Sequence, residues 1–168
     1  MSMAQWASAF AESALGLTKS VGDLAGACLF ATTMGISRML YGKFGEKIDL
    51  IKFMLISGVI CVVSYLLAGL SAMPIWGLVG CVMCGFSVGI MWPGSISITA
   101  PRIPKGGTAL FALLAMAGDM GGAFGPSVVG YFSQHAGDNL RAGLLTGCIF
   151  PLIMLATLIA MKKMTPEG

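Results

Sequence analysis

Asp119 sits near the middle of ALLAMAGDMGGAFGPSVVGYF (residues 112 to 132), a stretch that is otherwise apolar or small almost throughout. A carboxylate inside a lipid-crossing helix costs about 2.5 to 3.5 kcal/mol on insertion scales. An interhelical hydrogen bond returns about 0.6 kcal/mol on average, so packing alone does not offset that cost. In a helix, Ala112, Ala115, Gly118, Asp119, Gly122 and Pro126 fall along one side. Such small neighbours place the carboxylate in a groove that another helix can approach. A cavity-facing role, as a proton or cation site, is favoured over packing.

GFSVGIMWPGSISITAPRIP carries a second set of groups. Pro93 has no N–H to donate to the carbonyl of Gly89, so a helix here must bend or loosen. Gly85 and Gly89 have GxxxG spacing, and Ser95 and Thr99 share a face one turn apart. A packing kink with hydroxyls bonded back to the backbone explains this pattern without a ligand. A site where a polar solute stacks on Trp92 and hydrogen-bonds to the hydroxyls explains it equally well. Both readings stay open. In GISRMLYGKFGEKID, Gly42 and Gly45 allow a tight exit from a helix, and Glu46 beside Lys47 places an ion pair at a helix end.

Other candidates have blander readings. Gln5 and Trp6, with Glu12, form either the end of a cavity-lining helix or the polar face of an interfacial one. Asp23 reads as a helix N-cap and His135 as a solvated turn residue. Cys81 and Cys84 form a CxxC in mid-span with no second CxxC or histidine nearby, so all five cysteines are expected to be free thiols. No metal, disulfide or cofactor is expected.

The elements that position these groups follow from composition. The chain is 57% hydrophobic and 10% charged, against about 25% charged in soluble domains, with a mean hydropathy of +0.88. So few charges cannot cover so much apolar surface in water. The 24 glycines fall inside apolar stretches, where small residues let helix backbones approach in lipid. Five stretches reach the roughly 20 residues a bilayer crossing needs: 22–41, 50–70, 74–99, 107–132 and 141–161. The expected fold is all-α: a polytopic bundle of five full transmembrane helices plus a partial N-terminal helix. Residues 1–20 are that partial or interfacial helix, 21–163 the bundle and 164–168 a tail. Eight basic residues flank the loop after the first span or follow the third and fifth, against Lys19 and Arg141 on the other side. By the positive-inside rule the N-terminus is then outside and the C-terminus cytoplasmic. A net charge of +3 scattered between spans offers no continuous basic patch, so nucleic acid is excluded as an expected partner.

Three motifs, in order, carry a resemblance to the major facilitator superfamily. Gly42, Glu46 and Lys47 resemble its cytoplasmic loop signature, although Asp49 stands where glycine is expected and Leu50 and Ile51 where basic residues are. The Trp92–Pro93 pair before serines resembles the tenth helix of fucose-permease-like proteins. GGAFGPSVVG, with Gly121, Gly125 and Pro126, resembles the G-x-x-x-G-P signature of the fifth helix, whose repeat equivalent is the eleventh. The chain is thus similar to the second half of such a transporter, from the end of helix seven to helix twelve. The resemblance implies alternating access for a small polar solute, a sugar among the options, coupled to protons. It also implies gating by Glu46 and Lys47, with Arg38 as the cation best placed to join them. Six more helices complete the family's fold. A truncated gene product, inactive without its N-terminal half and set in a bacterial inner membrane, is the corresponding expectation. The alternative is a structural or assembly subunit that packs on other membrane proteins through GxxxG faces. Enzymatic activity is not expected, because no catalytic constellation exists to argue from.

Overall fold

The protein is described by a computed structural model covering residues 7–8, 11–12, 16, 18–44, 48–71, 73–137 and 140–164. Gln5, Trp6, Gly45, Glu46 and Lys47 lie outside the described residues. From Lys19 on, the described residues form seven helices in order: α1 Lys19–Phe44, α2 Leu50–Leu70, α3 Pro74–Val88, α4 Met91–Arg102, α5 Gly107–His135, α6 Leu140–Gly147 and α7 Ile149–Met164. They make five segments long and apolar enough to cross a membrane: Ser20–Phe44, Leu50–Leu70, Ile75–Arg102, Gly107–His135 and Arg141–Lys163. These are the five expected spans, the second with the same bounds and the others extended by two or three residues at one or both ends. The third is divided into α3 and α4, the fifth into α6 and α7.

Local chemistry sets the helix ends. Asp49 caps α2, its Oδ1 accepting from the N–H groups of Ile51 at 3.0 Å and Lys52 at 3.2 Å. Its carboxyl is held below the usual range, first by the Lys52 backbone N–H and then by the Lys52 ammonium, 3.3 Å away. Pro74 opens α3 at a position where no N–H is needed. Gly107 starts α5 at φ +46°, a backbone shape a side chain would strain. Two local expectations change. Gly42 lies inside the last turn of α1 with open space around it, so it does not make the helix exit. Asp23 lies past the first turn of α1, so it is not a cap.

The second span is the hub. α2 packs along α3, and its other side receives α6, α7 and part of α4; α1 packs on α3, and α5 on α6. Small residues make these crossings close, as expected where lipid supplies no hydrophobic drive. A Cβ on Gly85 would lie 2.6 Å from the Phe30 carbonyl, and one on Gly89 2.7 Å from that of Met34. The GxxxG face is therefore occupied by α1 of the same chain. Gly143 of α6 meets the Val129 carbonyl of α5 in the same way. The interior holds cysteine, alanine and serine around Phe30, Tyr65 and Leu144, with a second cluster of Met54, Ile90 and Leu158.

Candidate functional site

The break in the third span begins with Pro93. Without an N–H at that position the Gly89 carbonyl loses its helical donor. Backbone angles at Gly89 (−54°, −40°) and Ile90 (−87°, −17°) stay right-handed, so the chain loosens without reversing. Arg38 of α1 supplies the missing donor: its Nε gives a hydrogen bond to the Gly89 oxygen at 3.1 Å. A cation at the C-terminal end of α3 also complements the dipole of that half-helix. Ser37, on the same crossing, is fully buried with its hydroxyl unpartnered. The loop partners expected for Arg38, Glu46 and Lys47, lie outside the described residues, and its Nε is bonded to the broken span. A proline four residues after a glycine was the signal that an acceptor would need a partner here.

Trp92, just beyond the break, turns toward α5. A Cβ on Gly118 would lie 3.2 Å from its Nε1, so glycine lets the indole rest on the α5 backbone. Trp92 keeps 52% of its surface exposed. With Ser95, Ile96, Leu114, Ala117 and Gly118 it lines a groove of about 260 Å³ between α4 and α5. Asp119 follows Gly118 and is exposed, and no described residue pairs with its carboxylate. At the standard helical rise it lies about 18 Å from the start of α5, near the middle of that span. The fourth span is also the least covered: its most apolar window has no buried residue, against half of the third span's.

The two hydroxyls of α4 are bonded back to their own helix. Ser95 Oγ donates to the Met91 carbonyl and Thr99 Oγ1 to that of Ser95, each at 2.7 Å. Their protons are engaged, and what they offer a solute is acceptor lone pairs. Both line a second pocket of about 140 Å³ with Met54, Ile98, Met154, Thr157, Leu158 and Met161. Ser95 thus stands in the wall between the two spaces. The structure brings Trp92, Ser95 and the Gly118–Asp119 segment together, and sets Thr99 on the second pocket. Gly125 is buried and Pro126 half-buried, whereas Gly121 faces open space.

Sequence reasoning missed the break in the fifth span. Helix α6 ends at Gly147 and α7 begins at Ile149, with Pro151 four residues after Gly147. GIMWP (89–93) and GCIFP (147–151) share glycine, an aromatic residue and proline at the same spacing, and both mark broken spans. That repetition was the available signal.

Comparison with known proteins places the chain. It is 27% identical over 159 residues to proteins named multi-drug resistance efflux pump PmrA in two strains of Streptococcus pneumoniae. The match covers 89% of this chain and 39% of each relative, so the chain spans about two fifths of their length. No solved structure matches it. The Major Facilitator Superfamily profile covers residues 1–167. With five membrane-length helices under that match, the chain is an integral membrane protein of the Major Facilitator Superfamily.

Proposed function

We propose that the chain is the second half of a secondary transporter and that the groove between α4 and α5 is one wall of its solute path. The observation that carries this is Asp119: a carboxylate at mid-depth that no described helix covers, beside a half-exposed tryptophan. Facing hydrocarbon it would cost about 2.5 to 3.5 kcal/mol. Facing a water-filled path between two halves, it has solvent and a function. The order of the loop, Trp-Pro and G-x-x-x-G-P motifs supports the second-half assignment.

The solute we favour is a small amphipathic organic molecule rather than a sugar. The Ser95 hydroxyl and the Trp92 indole N–H are the side-chain polar groups among the residues lining the groove, and a sugar needs hydrogen-bonding partners around its whole ring. Relatives named as multi-drug efflux pumps point the same way. Asp119 suits a proton or a cationic group on the solute. The alternative of an assembly subunit is less well supported, because the Gly85–Gly89 face is already filled by α1.

The test is flux in proteoliposomes under an imposed pH gradient, with a lipophilic cation and a labelled hexose as solutes. The chain assembled with a complementary first half should move the cation and lose that activity on Asp119→Asn. Hexose flux instead would replace the solute class. Flux by the chain alone would end the half-wall reading.

A further inference from the structure

Cys61 on α2 and Cys84 on α3 hold their Sγ atoms 3.9 Å apart, and the transport path uses neither. Their side chains are 5% and 2% exposed. The two helices are held close beside them: a Cβ on Gly80 would lie 2.8 Å from the Ser64 carbonyl and 3.2 Å from the Ala68 Cβ. Ser64 is one turn beyond Cys61 and Gly80 one turn before Cys84, so the backbones nearly touch next to the thiols. A disulfide needs Cβ atoms about 3.8 Å apart and sulfurs about 2.05 Å apart. Closing the pair takes the sulfurs from 3.9 Å to bonding distance, between helices already held close beside them. Cys81 and Cys148 share the same core cluster, and Cys28 is exposed on α1.

We propose that Cys61 and Cys84 form an oxidisable dithiol that closes inside the membrane into a disulfide, stapling the second span to the third. The reaction is a two-electron oxidation by a small lipid-soluble oxidant, since burial keeps polar reagents from the sulfurs. With iodine, one sulfur forms an S–I bond and releases iodide and a proton. The second sulfur then displaces the other iodide and loses its proton. The S–S bond replaces two S–H bonds, and iodine leaves as two iodides. A membrane quinone has the same capacity, taking up both electrons and both protons to become a quinol.

The experiment treats the full chain in membranes with iodine. Remaining thiols are blocked with N-ethylmaleimide in denaturant, the disulfides reduced, and the new thiols labelled with deuterated N-ethylmaleimide for mass spectrometry. Cys61 and Cys84 should carry the heavy label together, at least tenfold above untreated protein, in a monomeric band on a non-reducing gel. Cys28 should carry the light label. Cys61→Ala should return Cys84 to the light pool, and Cys84→Ala should do the same for Cys61. Cys81→Ala and Cys148→Ala should leave the pair unchanged. Light label at both positions in wild-type protein would overturn the proposal without reliance on any variant. So would heavy label persisting at Cys84 in the Cys61→Ala chain, which would mean a different partner.

Discussion

Asp119 and Asp49 are carboxylates that the fold treats in opposite ways. Asp119 has no partner among the described residues, and Asn separates charge from shape. Asp119→Asn in a full-length transporter should abolish or strongly weaken coupled uptake while expression and detergent melting stay near wild type. Asp119→Leu should disturb both, since it also fills the small-residue groove. Normal uptake by the Asn variant, with unchanged pH dependence, would make the residue packing glue. Asp49 is spent on a helix end, where the Lys52 N–H and its ammonium favour the charged form. Because its pKa is lowered on folding, its contribution is present above the ordinary carboxylate range and is lost as pH falls through the folded value. Amide exchange at Ile51 and Lys52 should therefore quicken on acidification. Asp49→Asn should flatten that response and keep the cap, whereas Asp49→Ala should expose both amides at every pH.

Arg38 and Pro93 act on the same carbonyl, so their effects belong to the element. Removing the guanidinium leaves the Gly89 oxygen without a donor at the break. Pro93→Ala restores a backbone N–H that can take that place. A double-mutant cycle read by detergent melting should show Arg38→Ala costing less in the Pro93→Ala background than in wild type, by about 0.5 to 2 kcal/mol. Additive losses would show that the contact does not hold the break. At the neighbouring crossing, Gly85→Leu drives a side chain into the Phe30 carbonyl and Thr33. Backbone atoms give way poorly, so a loss of about 1 to 3 kcal/mol or more is expected, with α1 separating from α3. Glycines in the sequence showed that some crossing was close. They did not show which helix filled it, because GxxxG spacing is the same whether the partner is in the chain or outside it.

At the scale of the whole molecule, one side is packed and another is left open. The second span is surrounded, while the fourth is uncovered along the stretch that carries Asp119. The proposed second-half reading uses that open side, along α5, as the face toward the first half. Orientation remains a prediction from the eight-to-two distribution of basic residues. Single-cysteine labelling on a cysteine-free background should find position 46 cytoplasmic and position 136 external. Label at 136 only from the inside would reverse the topology.

Composition and hydrophobic run length alone determined that the described residues carry five helices long and apolar enough to cross a membrane, and roughly where. Apolar length is a local property that no neighbour alters. The kink at Pro93 was legible for the same reason: a missing N–H is covalent. Tertiary structure decided what answers those local demands. Arg38 reaches Gly89 from 51 residues away, Trp92 settles on Gly118, and Cys61 meets Cys84 across two spans. Each depends on which helices become neighbours, and that is set by the summed packing of small faces along whole helices. Short motifs hold no record of that sum, so the partners had to be seen in the fold.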